Sequence, residues 1–166
     1  MTFVLGDKSL ANMAGVHPYL KLAVCRAIAI STVDFGVVGG AVRTAAEQNA
    51  LYQKGRTTPG PKVTDKDGYK HKSNHQITAD GTGHSVDLTA WVDGKWDFDT
   101  WPLYHQIAWA MCQAATELGF RIRWGGNWNE DLLACKSLAD VVAMEGHYRG
   151  TLHDGPHFEL VAWCWP

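Results

Sequence analysis

"LHDGPHFEL", residues 152–160, decides how the rest of the chain is read. His153 and His157 stand four apart, the spacing that places two histidines on one face of a metal-binding helix. Gly155 and Pro156 lie between them, and a proline inside a helix costs about 3 kcal/mol or more. The helical reading fails. The segment reads instead as a turn feeding a terminal strand over "PHFELVAWCWP", 156–166. In that strand Phe158 and Leu160 form the natural core face, and His157 shares the opposite face with Glu159 and Val161. His157 then points away from the core, beside Asp154 in the turn. Glu159 reads as a strand carboxylate or as a partner that orients a metal ligand.

The same period-two test applies to "SNHQITADGTGHSVDLTAW", residues 73–91. "GHSVDLTAWV" (83–92) reads as a strand with Ser85, Asp87 and Thr89 on one face. His84, Val86 and Leu88 fall on the other, apolar face. His84 and Asp87 point to opposite sides, so His84 is expected in the core or in a supporting position. His75 lies twelve residues before Asp87 across a glycine-containing loop and is free to return over the Asp87 face. Asp80 is expected to cap a turn in "ADGTG".

Working outward, residues 9–30 read as one helix, with Pro18 suited to a first turn. "DFGVVGGAVRT" (34–44) reads as a strand ending in glycines, and 45–55 as a helix with Gly55 as its C-cap. Residues 56–72, "RTTPGPKVTDKDGYKHK", read as a long, solvated loop of a kind that is often functional. "DGKWD" (93–97) reads as a turn. The clearest helix covers 100–120, closed by Gly119, and "RIRWGGNW" (121–128) is a short strand and a glycine turn. A short helix is expected at 136–144. The pattern predicts a single α+β domain over 1–166, without repeat or linker.

The chain has 166 residues, enough for a core without disulfide staples. Apolar residues at 46% against 19% charged exclude a disordered chain. A net charge of −2 argues against a nucleic-acid binder. The four cysteines, Cys25, Cys112, Cys135 and Cys164, show no CxxC spacing, which argues against a thiolate zinc knot. No apolar run is long enough for a transmembrane helix, and no basic-then-apolar start suggests a signal peptide. Nothing demands more than a monomer.

Two histidines and a carboxylate, His75, Asp87 and His157, make up the three N/O ligands typical of a catalytic zinc site with its fourth position open. Zinc acidifies water and polarises a carbonyl. Hydrolysis then needs a second carboxylate to take a proton and pass it to a leaving amine, and Asp154 is the candidate. Arg43 suits a developing oxyanion or a substrate carboxylate, because guanidinium is always charged and forks onto carboxylates. From spacing alone a plainer reading stands beside each. The histidines serve equally as hydrogen-bonded structural residues, Arg43 as an ion-pair arginine, and "WGGNW" as a tight turn with packed tryptophans instead of a substrate wall at Trp124.

At these residues the sequence resembles the zinc D-Ala-D-Ala peptidases of the VanY/VanX type. It is more closely similar to phage endolysins that act as L-alanyl-D-glutamate endopeptidases. The family pattern S-x-H, G-x-A-x-D and D/E-x-x-H stands here as Ser73-Asn74-His75, Gly83-His84-Ser85-Val86-Asp87 and Asp154-Gly155-Pro156-His157. "GAVRTAAEQNALYQKGRTTPG", "VHPYL" and "WGGNW" match as well, so the resemblance spans nearly the whole chain. It implies an antiparallel sheet with flanking helices around a zinc site, the DD-peptidase/hedgehog-like fold. It implies His75, Asp87 and His157 as zinc ligands, Asp154 as acid/base, Arg43 at the transition state or a substrate carboxylate, and Ser73 and Gln48 in support. The implied activity is hydrolysis of the L-Ala–D-Glu bond of peptidoglycan by an enzyme made in the host cytoplasm and acting on the wall after release. The rivals are a D-Ala-D-Ala carboxypeptidase or dipeptidase and a non-catalytic, zinc-stabilised wall-binding domain. Two departures stand out: a five-residue insertion after His75, and Ser85 where alanine is usual.

Overall fold

The computed structural model describes residues 2–161. The expected terminal strand therefore runs past the described residues at 162–166, which also hold Cys164.

The organising element is strand β2 (Ser85–Val92), whose buried positions include Val86, Leu88 and Ala90. It is long enough to pair differently along its two halves. Its C-terminal half pairs antiparallel with β1 (Phe35–Val37) and, through a tight hairpin, with β3 (Lys95–Asp97). Asp93 and Gly94 both take positive φ at the hairpin tip, the backbone that an Asp-Gly two-residue turn favours. The segment 93–97 is therefore a turn plus a strand, not a turn alone. The N-terminal half of β2 pairs antiparallel with β5 (His157–Leu160), and β5 pairs on its other side with β4 (Ile122–Trp124). The sheet order is β1-β2-β5-β4.

Helices flank this sheet. The expected helix over 9–30 is two: α1 (Asp7–Asn12) and α2 (Pro18–Ile30). They part where Gly15 takes positive φ and its carbonyl accepts from Gly83 N–H, while His17 N–H donates to the Gly83 carbonyl. The break is thus where the end of the 76–83 loop docks. α3 (Ala45–Gln53) opens with a reciprocal capping box between Thr44 and Glu47. α4 (Trp101–Leu118) closes on left-handed Gly119 and buries Tyr104, Ile107, Met111 and Ala115. α5 (Leu138–His147) starts at Ser137, whose hydroxyl accepts from Asp140 N–H. One core cluster joins Leu20 and Val24 of α2, Ile107 and Met111 of α4, and Leu88 and Phe158 of the sheet.

Strand β1 is shorter than the strand expected over 34–44. It ends at Val37, and Gly39 takes positive φ two residues later. Cys25, Cys112 and Cys135 are free thiols.

Candidate metal centre

The β2–β5 register builds the site. Asp87 lies directly opposite His157, and Ser85 opposite Glu159. Directly opposed residues of an antiparallel pair share a face, and Val86 opposite Phe158 points the other way, into the core. Glu159 also faces Arg123 of β4. One face of the sheet therefore carries Asp87, His157, Glu159 and Arg123. It floors a cavity of about 750 Å³ whose walls include Arg43, Ser73, Asp154 and Trp128.

His75 comes from outside the sheet. The loop after it closes on itself: Thr78 N–H donates to the Thr82 carbonyl, and Asp80 accepts from Thr78, Thr82 and His84. His84 N–H returns to the Asn74 carbonyl at 2.7 Å. The 76–83 loop is thus a self-contained excursion that leaves His75 free to lie over Asp87. The ring of His84 sits with Asp80 (2.7 Å), Thr78 (3.2 Å) and the ring of His17. His84 precedes β2 and does not lie on its apolar face, which corrects the sequence reading. It is outside the His75–Asp87–His157 cluster.

Within that cluster His75 Nε2 is 3.2 Å from His157 Nδ1 and 3.3 Å from Asp87 Oδ1, and His157 Nδ1 is 3.5 Å from the same oxygen. The other nitrogen of each ring is already committed. His75 Nδ1 donates to the Ala41 carbonyl at 2.7 Å, and His157 Nε2 donates to Glu159 at 3.0 Å. Those bonds turn His75 Nε2 and His157 Nδ1 towards the Asp87 oxygen, as ligand-orienting partners do. Three N/O donors converge, mostly buried and open to a cavity on one side. The three residues could hold a metal ion, and the donor set fits a divalent cation.

The electrostatics agree with that use. Burial works against the Asp87 carboxylate, yet His75 and His157 beside it hold it well below the usual carboxylate range. Burial pushes His157 down, but its bonds to Asp87 and Glu159 outweigh this and lift it to about 10 in the metal-free protein. Burial raises Asp154, and the nearby Asp87 charge pushes the same way against His157.

A profile of the phage L-alanyl-D-glutamate peptidases matches residues 1–161. The chain belongs to that family. It is 30% identical to the L-alanyl-D-glutamate peptidase of Escherichia phage T5 over 161 residues, 97% of this chain and 100% of the relative. Among solved structures it is similar to the L-Ala D-Glu endopeptidase ChiX of Serratia marcescens, with a TM-score of 0.65 and 30% identity. That match covers 95% of this chain and 90% of the other.

The remaining expected site residues of this peptidase fall in three groups. Asp154 and Ser73 line the cavity. Asp154 is anchored by its own backbone, donating to Gly125 and accepting from His157 N–H. Gly125 has no room for a side chain, because a Cβ would run into the Asp154 carbonyl. Ser73 Oγ accepts from His75 N–H at 3.3 Å. Arg43 lines the cavity too, with Nη2 on the Asp87 oxygen that faces away from the histidines and its N–H on the His75 carbonyl. Gln48 and Trp124 do not line the cavity. Gln48 is buried and donates to the Thr64 hydroxyl and the Lys66 carbonyl. Trp124 is fully buried against Phe158, and its indole donates to the Gly155 carbonyl at 2.8 Å. It braces the Asp154 turn from beneath and forms no substrate wall. The wall tryptophan is Trp128, 4.9 Å from the His157 ring.

Two participants escaped the sequence reading. Asn74 donates to Glu159 at 2.7 Å, and Arg123 does so at 3.2 Å. Arg123 had a usable signal: it alternates with buried Ile122 and Trp124, so period two sends it to the opposite face. Asn74 had none.

Proposed function

We propose that this chain is a zinc-dependent peptidoglycan hydrolase, an endolysin that cleaves the L-Ala–D-Glu amide of the stem peptide and so lyses the host wall. One observation carries the reading. His75 Nε2, Asp87 Oδ1 and His157 Nδ1 converge at the floor of a cavity that Asp154 also lines, in a member of this peptidase family. His75, Asp87 and His157 would hold the ion. Zinc, when bound, supplies Lewis acidity that polarises an amide carbonyl and makes water easier to ionise.

The protein's own groups do the rest. Arg43 neutralises the outer oxygen of Asp87 and fixes the carboxylate so that Oδ1 faces the histidines. Glu159 and Ala41 hold the ring protons. Asp154 accepts a proton from water as its oxygen bonds to the L-alanine carbonyl carbon. As the C–N bond breaks, Asp154 passes that proton to the D-glutamate nitrogen. The products are a new alanine carboxyl and a new D-glutamate amine. Burial favours this shuttle, because it raises the proton affinity of Asp154 above that of an ordinary aspartate. Arg43 lines the cavity, and its guanidinium N–H groups beyond the one on Asp87 would meet charge developing on the carbonyl oxygen.

The test is mass spectrometry of fragments released from purified peptidoglycan, with and without a chelator. Peptides beginning at D-glutamate, lost on chelation and restored by zinc, are expected. Release of terminal D-alanine alone would move the protein to the carboxypeptidase reaction. Absence of any cleavage, with one equivalent of zinc bound, would make it a binding domain.

A further inference from the structure

The segment 54–72 holds six of the chain's fifteen lysines and arginines but only two of its seventeen acidic residues. The chain as a whole carries −2, so this is a local reversal of sign. The segment is not a loose, solvated loop. Gln48 holds Thr64 and Lys66, Asn49 Nδ2 donates to the Asp67 carbonyl, and Gln76 donates to the Gly68 carbonyl at 2.9 Å. Gly68 takes positive φ, and a Cβ there would sit 2.6 Å from the Ala45 carbonyl. Arg56 lies 3.8 Å over the Tyr52 ring and pairs with Asp65. The arch is pinned to α3 at several points.

Three of its cations, Lys54, Lys66 and Lys72, line the cavity. The acidic groups in the same wall are mostly spent: Asp65 on Arg56, Asp87 on Arg43, and Glu159 on Arg123 and Asn74. Among the described residues, no acidic group of this wall forms an ion pair with Lys54, Lys66 or Lys72. A pinned, cationic wall beside a hydrolytic centre is built for an anion on the substrate.

The proposed scissile bond supplies one. Glutamate has two carboxyl groups. When its nitrogen is acylated by alanine and one carboxyl continues the chain, the other stays free, next to the bond to be cut. We infer that Lys54, Lys66 and Lys72 form a specificity wall for that free carboxylate, so that the enzyme distinguishes stem peptides with an ionised D-glutamate from those in which this carboxyl is a primary amide. The inference rests on the reading given under Proposed function.

The experiment compares kcat/KM for two synthetic stem peptides, differing only in that carboxylate or amide, in the zinc-loaded wild type and in K54Q/K66Q/K72Q. The ratio is taken within each enzyme, so a general loss of activity cancels. Three exposed cation–carboxylate contacts together are worth about tenfold. The wild type should prefer the carboxylate by about that factor, mostly through KM, and the preference should shrink as salt rises. In the triple variant the ratio should fall to near one. Equal cleavage of both peptides by the wild type would overturn the inference. So would a preference that survives the triple substitution, with the hydrolase reading left intact. If neither peptide is cleaved, the hydrolase reading fails, and calorimetric binding of the D-glutamate-headed peptide and its amide decides the wall separately. Carboxylate-dependent binding lost in the triple variant would uphold it, and equal binding would overturn it.

Discussion

Replacing Glu159 by glutamine separates two effects of one carboxylate. Glu159 accepts from His157 Nε2 at 3.0 Å, from Asn74 at 2.7 Å and from Arg123 at 3.2 Å. Glutamine keeps the shape but loses the charge. A carboxylate behind a ligating imidazole raises its basicity, and removing such a partner typically weakens metal binding by about 10–100-fold. The same carboxylate also strengthens the hold on a competing proton. With His157 raised by its bonds to Asp87 and Glu159, a metal ion at pH 7 must displace a bound proton. E159Q weakens that competitor, and this offsets part of the loss at pH 7. The offset fades as pH approaches the value at which His157 deprotonates unaided. The deficit of the variant should therefore widen with pH, towards the full 10–100-fold. The assay is competition against a chromophoric zinc chelator from pH 6.5 to 9. Wild-type affinity should rise by about tenfold per pH unit from this one proton, and E159Q should rise less steeply. Two parallel lines at equal affinity, or a deficit that narrows with pH, would refute the role given to Glu159.

Three further outcomes are expected. His75→Ala should lose stoichiometric zinc by elemental analysis, while His84→Ala should keep it, since His84 is engaged with Asp80 outside the cluster; the opposite result would reassign the ligand across the insertion. The acidic limb of kcat/KM should lie above the ordinary aspartate value of about 3.9, because burial raises Asp154 and the carboxylate works as a base only when ionised, so activity falls as pH drops through the raised value. Asp154→Asn should abolish turnover while retaining zinc, and turnover that survives would assign the proton transfer elsewhere. Ser85→Ala should raise the melting temperature by about 2–4 °C, because Ser85 is buried and its hydroxyl has no partner among the described residues, a defect worth about 1 kcal/mol; a lower melting temperature would mean that the hydroxyl has a partner after all.

The His75–Asp87–His157 cluster, which could hold a metal ion, was legible to the extent that it is written in strand periodicity. Gly155-Pro156 forbade a helix, and period two then separated His157 and Glu159 from Phe158 and Leu160, as the structure does. The same rule applied to β2 set Asp87 apart from Val86 and Leu88. It failed at His84 because the strand starts at Ser85, two residues after its expected start. There the chain is still bound to Gly15 and His17 through Gly83, and that pairing to another part of the fold leaves no local trace. The single helix expected over 9–30 failed for the same reason, since its break at Gly15 is the other side of that contact.

What sequence could not supply is the register between segments some seventy residues apart. Period two says which residues share a face of one strand, but not which residue of another strand lies opposite. The slip of a single residue between β2 and β5 would set Asp87 against Phe158 or Pro156 in place of His157 and dismantle the centre. The register is held by apolar residues on the far face, Val86 against Phe158 and Ile122 against Leu160, and by Trp124, which ties β4 to the Asp154 turn through the Gly155 carbonyl. Trp124, weighed from sequence as a packed turn residue or a substrate wall, thus contributes by keeping the core in one alignment. Chemistry on one face of this sheet depends on packing on the other, and a core substitution at Trp124 that leaves every ligand in place should still misalign them.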